Sequence, residues 1–195
     1  MQSIAEVKEE IIIDEKLEKL LKDSKPVDIE IGFGKGQFVI EKAQAYKDIN
    51  FVGFEVKKKL VKEAQAKIDK LELENIYIES TYANVAIPQK IPQGRVRFMY
   101  VNFPDPWWKK RHKKRRILQP EYIKLFYDAL QLGGIIYVRT DVKEYEEFVL
   151  ESFAQFDTFE QVEHDIISDG IKSNREVRCM SEGLDLYYLA FKKIK

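Results

Sequence analysis

Cysteine and histidine are nearly missing: Cys179 is the single thiol, and His112 and His164 are the only imidazoles among 195 residues. One thiol cannot close an internal disulfide, and three such side chains cannot build the usual Cys/His metal cluster. A reduced protein without a metal is expected. Long apolar runs are missing too. No stretch approaches the roughly 18 residues a membrane helix needs, so no membrane association is expected. The opening MQSIAEVKEE has neither a cationic start nor an apolar core, which predicts no export signal and a cytoplasmic location. An excess of one charge is also absent, since Lys plus Arg and Asp plus Glu both number 33. The balance is unevenly spread, however. Seven of the eight residues at 109–116 are cations, and removing those seven from 33 leaves 26 positive against 33 negative charges. A mildly acidic body with one concentrated positive patch favours oriented docking over general adhesion.

What is present is an alternation of short apolar strands and amphipathic helices in a chain that is 45% hydrophobic. Val27–Ile31 reads as a strand running into Gly32-Phe33-Gly34-Lys35-Gly36, with a helix following to about Tyr46. Phe51–Phe54 is a second strand, followed by a helix to about Leu71 with Leu60, Ala64, Ile68 and Leu71 on one face. Further strands are expected at Ile76–Ile78, Val96–Phe103 and Ile135–Arg139. Helices are expected at Glu121–Leu132, closed by Gly133-Gly134, and at Glu144–Phe153. Two late strands, near Thr158–His164 and Leu186–Phe191, lack a long intervening helix and suggest an antiparallel edge hairpin. The pattern is α/β, a mostly parallel sheet with helices on both faces. Residues 1–25 read as an acid-rich, helical N-terminal segment and 26–195 as one domain.

The segment from Asn102 to Arg116 concentrates the chemistry. A buried strand ends at Pro104-Asp105-Pro106, two tryptophans follow at 107 and 108, and the cationic run begins at Lys109. The prolines stiffen the loop around Asp105 and bias the residues before them to extended backbone. Tryptophan can stack on a base or wall a pocket, and clustered Lys and Arg neutralise phosphates. The order suggests a reactive site beside a nucleic-acid grip. The glycine loop is the second focus. Position 37 is Gln where a G-x-G-x-x-G fingerprint needs Gly, and no G-K-[ST] is present, so neither a dinucleotide fold nor a P-loop is matched. Glu55, at the end of the second strand, is placed to accept from ribose hydroxyls. Glu30, inside a buried strand end, needs a partner such as an amino or sulfonium group.

Together, Glu30-Ile31-Gly32-Phe33-Gly34-Lys35-Gly36, Gly53-Phe54-Glu55, Asn102-Phe103-Pro104-Asp105-Pro106-Trp107 and the run to Arg116 resemble the bacterial tRNA (guanine-N7)-methyltransferases, the TrmB family. The resemblance covers about residues 25–192. It implies a Rossmann-like class I methyltransferase fold with a seven-stranded sheet, S-adenosyl-L-methionine as cofactor, tRNA as partner, and methylation of guanosine 46 in the variable loop. Position by position it implies Glu30, Gly32, Gly34, Gly36 and Glu55 as cofactor-binding residues, and Asp105 as the active-site carboxylate bordering the cofactor. Lys109 and Asp141 match substrate positions. Ser173-Asn174-Arg175-Glu176 matches a T-x-x-E substrate motif with Ser for Thr. Arg111, His112, Lys113, Lys114, Arg115 and Arg116 match the RNA-contacting run. Where the family has an acid and Ala after the third strand, this chain has Tyr82, Ala83 and Asn84. Adenine recognition then falls to Tyr82, the Ala83 backbone and the Asn84 side chain. A monomer or a homodimer is compatible with all of this.

Guanine N7 carries a lone pair and no proton, so the acceptor needs no strong base. Catalysis would rest on positioning and on a negative charge near the developing cation, both within the reach of Asp105. His112 is then expected as a phosphate contact or packing residue, and Cys179 as a packing residue. Cofactor binding is expected to be independent of the cationic run, which lies on a separate segment. Two alternatives stay open. One is an RNA methyltransferase acting on an exocyclic amine, because Asn102–Trp107 loosely echoes an N-P-P-Y loop. The other is a non-catalytic RNA-binding module on the same fold.

Overall fold

Val27–Ile31 (β1) is buried at every position, as a strand covered on both faces must be. In the computed structural model, which describes residues 13–163 and 169–195, it pairs in parallel with Asn50–Phe54 (β2) on one side and Val96–Asn102 (β4) on the other. Ile76–Glu79 (β3) and Leu130–Thr140 (β5) extend the parallel set. Tyr187–Lys193 (β7) joins β5 antiparallel, and Phe159–Val162 (β6) pairs with β7 antiparallel at the edge. The seven-stranded order is β3-β2-β1-β4-β5-β7-β6. Strand order reverses between β1 and β4, so a crevice opens beyond their carboxyl ends, where ligands bind in sheets of this kind.

Alternation along the strands sorts the core into two layers. Val52 packs with residues of Glu15–Lys22 (α1), Ala83–Lys90 (α4), Pro120–Ala129 (α5) and Lys143–Phe153 (α6), among them Leu17, Ile87, Phe126 and Val149. Its neighbour Phe51 packs with Val39 and Ala43 of Gln37–Ala45 (α2) and with Ala64 and Ile68 of Lys58–Lys70 (α3). No helix among the described residues is long and apolar enough to cross a membrane.

Several elements differ from expectation. The helix expected to run to Leu132 stops at Ala129, and Leu130 to Gly134 belong to β5. Pairing skips from Val96–Leu130 to Phe98–Ile135, so Gly133 and Gly134 form a bulge rather than a helix end. Gly133 has φ +79°, and a Cβ on Gly134 would lie 2.9 Å from two carbonyl oxygens. Helix α4 was not expected, and Pro88 lies inside it. The late strands pair antiparallel at the sheet edge as expected, although Asn174–Glu182 (α7) lies between them in the chain. The basic run folds as a short 3-10 helix, Lys110–Arg115. Of the expected N-terminal helix, α1 is described and residues 1–12 lie outside the described residues, as does His164 at the end of the expected sixth strand.

Candidate active site

The glycine loop is shaped by close approach. Phe33 is buried, and a Cβ at Gly53 would stand 2.8 Å from its ring, so the residue opposite on β2 has to be glycine. Gly36 has φ +77°, and a Cβ there would meet Ala64 Cβ at 3.0 Å, so glycine lets α2 begin tight against α3. The folded loop brings the Gly34 N–H to Glu55 Oε2 at 3.0 Å, while Glu55 Oε1 accepts from the Lys57 N–H at 3.0 Å. Glu55 is thereby aimed along the wall of a cleft of about 320 Å³ that also includes Gly32, Tyr82, Asn84 and Asp105.

Glu30 is 3% exposed. Asn102 Nδ2 donates to its Oε1 at 2.9 Å, and Oε2 has no partner. Burial raises its pKa to about 7 against the opposing effects of the Asn102 hydrogen bond and the Arg139 charge. It faces a second cavity, of about 750 Å³, whose wall includes Trp108, Asp141, Ser173, Asn174 and Arg175. The two cavities share Gly32, Gly34, Phe103, Pro104 and Asp105. Asp105 is exposed on this partition, with a different tryptophan on either side: Trp107 lines the first cavity and Trp108, 61% exposed, the second.

The Asp105 loop is held by backbone strain and by one cation. Phe103 donates its N–H to Arg139 O at 2.8 Å, then turns with φ +50°. That residue precedes a proline and was expected to be extended. The strand ladder continues to its N–H, and the chain must leave the sheet at once. Trp107 has φ +48°. Left-handed backbone at bulky residues costs on the order of 1–3 kcal/mol each and persists where the surroundings impose it. Arg116 imposes it here. It is 2% exposed, donates from Nε to Pro106 O at 2.8 Å and from Nη2 to Glu144 at 3.0 Å, and lies 4.7 Å from the centre of the Phe148 ring. The expectation that Arg116 contacts RNA is therefore corrected: its donors are turned inward to fix the loop.

The remaining cations divide. Lys109, Arg111 and Lys114 are exposed, and Lys109 borders neither cavity. Lys113 is shared with Glu144. His112 packs edge-on to Trp107 with ring centres 5.7 Å apart. Arg115 lies 5.2 Å over the Trp107 ring and lines the first cavity, so the run is not separate from that cleft.

The far wall of the second cavity is built on α7. Ser173 caps it by accepting from the Glu176 N–H at 3.2 Å, and Glu176 Oε2 accepts from the Ser173 N–H at 3.4 Å. Glu176 also accepts from Arg139 Nη1 at 2.7 Å and from Tyr188 Oη at 3.1 Å, and both members of the Arg139 pair are 1% exposed. Glu176 therefore stands behind the wall, whereas Ser173, Asn174 and Arg175 face the cavity. Arg175 pairs with Asp141 across it. Cys179 is fully buried, and burial pushes its thiol pKa up. Asn102, Arg139 and Glu144 escaped notice as support for the site. A basic residue ending the buried run Ile135–Arg139 was the available signal for Arg139.

The family model described as a putative methyltransferase matches residues 24–189. Fold and site define a class I methyltransferase. Among solved structures, the 16S rRNA methyltransferase KamB superposes with TM-score 0.66 at 17% identity, covering 95% of this chain and 96% of that one. A SAM-dependent O-methyltransferase from Thermotoga maritima gives 0.60 at 17% identity, covering 92% and 63%. By sequence, the chain belongs to the tRNA (guanine-N7)-methyltransferase family. The Aquifex aeolicus (strain VF5) member is 36% identical over 169 residues, 87% of this chain and 57% of that protein. Those of Synechococcus sp. (strain JA-3-3Ab) and Prochlorococcus marinus (strain MIT 9215) are 35% and 30% identical, covering 83% and 91% of this chain and 70% and 90% of theirs. The chain thus spans little more than half the length of the Aquifex relative.

The residues present fit S-adenosylmethionine. The unpartnered Glu30 Oε2 is a buried acceptor waiting for a cationic donor, which the cofactor's amino group is. Glu55 places a carboxylate on the wall of the first cleft, an acceptor of the kind that ribose hydroxyls need. The first turn of α4, at Ala83 and Asn84, lines the same cleft, and the opening N–H groups of a helix lack intrahelical partners, as an adenine edge would require.

Proposed function

We propose that this protein methylates N7 of a guanine in tRNA, the variable-loop guanosine 46, using S-adenosylmethionine in the cytoplasm. The observation that carries the reading is the position of Asp105, exposed on the partition shared by a cofactor-sized cleft and a second cavity edged by a tryptophan and hydrogen-bonding side chains. When bound, the cofactor supplies an electrophilic methyl, which the N7 lone pair takes as the carbon–sulfur pair returns to sulfur. Glu30 and the Gly32–Gly34 backbone hold the methionine end, Glu55 holds the ribose, and Tyr82, Ala83 and Asn84 border the adenine. Trp108 offers the guanine a stacking face. Asp105 accepts guanine N–H donors and faces the positive charge that grows on the purine. Asp141, Ser173, Asn174 and Arg175 bound the nucleotide on the far side, and Glu176 positions them. Lys109 stands outside the cavities and would reach the nucleotide only with tRNA in place.

The test is incubation with labelled S-adenosylmethionine and unmodified tRNA, followed by nucleoside analysis. The expected product is 7-methylguanosine at the variable loop. An N-methylated exocyclic amine would assign the other methyltransferase class. Tight tRNA binding with no product at all would assign an RNA-binding module.

A further inference from the structure

The cleft has a second cationic rim. Lys57, Lys58, Lys59 and Lys62 are all exposed at the start of α3, and Lys35 is exposed on the glycine loop. Lys57 lines the same cleft as Arg115, and Lys35 lines the neighbouring cavity. The patch therefore borders the site on the side opposite the run that follows Asp105. No ion pair is made by any of these five side chains among the described residues. The arrangement also works against the fold. The first turn of α3 contains no acid, and cations there oppose the helix dipole as well as one another. An unpaired, self-repelling cluster beside a reactive cleft matches the chemistry of a polyanion, and phosphodiester backbone is the polyanion that the proposed substrate brings.

We propose that this lysine rim is a second phosphate-contacting surface, so that tRNA lies across the cleft and is gripped on both sides rather than by the Lys109–Arg115 run alone. The inference rests on the tRNA reading of the site. Contact with phosphates releases counterions, so each contact steepens the salt dependence of binding by about 0.7–0.9 in log–log slope. Base identity contributes nothing at such contacts.

The experiment compares tRNA binding by the full chain from about 50 to 200 mM salt in four forms. They are the wild type; Lys58→Gln, Lys59→Gln and Lys62→Gln together; Lys110→Gln, Arg111→Gln and Lys114→Gln together; and a charge-matched control. The control is Lys47→Gln, Lys70→Gln and Lys192→Gln, all exposed and near the end of the sheet opposite the cleft. The rim variant should flatten the slope by about two units, with S-adenosylhomocysteine affinity unchanged, while the control keeps the wild-type slope. A wild-type slope in the rim variant, or equal flattening in the control, overturns the inference. If only the Lys110 variant flattens, the tRNA reading stands and the second rim falls. If the wild type binds tRNA with no salt dependence, both fall.

Discussion

Glu30 allows the reading of the cofactor site to be tested by pH alone. Its carboxyl is buried, one oxygen is unpartnered, and its pKa stands near 7 rather than 4.5. In the free protein it is about nine-tenths protonated at pH 6 and about nine-tenths ionised at pH 8. Only the ionised form attracts the cofactor's ammonium, which has an ordinary pKa of about 7.7–8.0. Affinity should therefore peak between about pH 7 and 8 and fall about tenfold for each unit below 7, near 1.4 kcal/mol per unit. Calorimetric titration with S-adenosylhomocysteine from pH 6 to 8 reads this directly. Glu30→Gln should bind more weakly at pH 7.5 and lose the acid limb. An acid limb of wild-type steepness in that variant would assign the titration to another group and refute the reasoning. The same shift acts on the free protein with a definite sign. Between pH 4.5 and about 7 the folded state holds a proton that the unfolded chain has released, so stability from this group is greatest at the acid side. It declines as pH rises through that window, by up to about 3 kcal/mol. Glu30→Gln should remove the decline and raise the melting temperature of the cofactor-free protein at pH 8.

Other perturbations separate chemistry, cofactor and scaffold. Asp105→Ala should lower turnover at least tenfold, about 1.4 kcal/mol, with an unchanged melting temperature, because the side chain is exposed; turnover above a tenth of wild type would remove it from the mechanism. Glu55→Ala should weaken S-adenosylhomocysteine binding by about 1.5–3 kcal/mol through the lost charged acceptor, and an unchanged dissociation constant would place the ribose elsewhere. Arg116→Ala should destabilise the fold by at least the 1.5–3 kcal/mol typical of a charged hydrogen bond, here to Pro106 O, and lower turnover through the loosened loop; a stable, active variant with weakened tRNA binding would return Arg116 to the RNA surface. Arg115→Ala should weaken both tRNA and cofactor binding, whereas Lys114→Ala should weaken tRNA binding only, as measured by parallel titrations.

How much of this was legible depended on whether a residue's role was local. Val27–Ile31 followed by three glycines reads as a buried strand entering a tight turn from composition alone, and the structure agrees to the residue. Helix α4 was not legible, because Pro88 removes an N–H from its last turn and mimics a boundary. Gly133-Gly134 resembled a helix terminator because a bulge and a C-cap ask for the same left-handed backbone. Arg116 could not be told from Arg115 by sequence. What separates them is Glu144 and Phe148, some thirty residues away, which capture one guanidinium and leave its neighbour on Trp107. Ser173-x-x-Glu176 carried two meanings at once. Its spacing is that of a capping box, and the structure uses it so while still facing Ser173 to the cavity.

Three departures from ordinary folding rules border one cleft. Two aromatic residues sit in left-handed backbone at Phe103 and Trp107, Glu30 buries an oxygen without a partner, and five exposed lysines form no ion pair among the described residues. Ordinary pairing holds at other places: α1 carries acids in its first turn and bases in its last, and buried Asp28 is matched by the bidentate Arg97. Two of these departures are of a kind that a bound group would relieve. A cationic amine completes Glu30, and phosphates neutralise the lysines. Phe103 and Trp107 differ in that their strain is held by β5 and Arg116, so it persists with or without ligand and keeps Asp105 in place before tRNA arrives. The site therefore combines a rigid catalytic loop with electrostatic groups left incomplete, and the free protein is less stable than its own core would allow. Cofactor and tRNA should each raise the unfolding temperature through their own unsatisfied groups, Glu30 for the first and the lysines for the second.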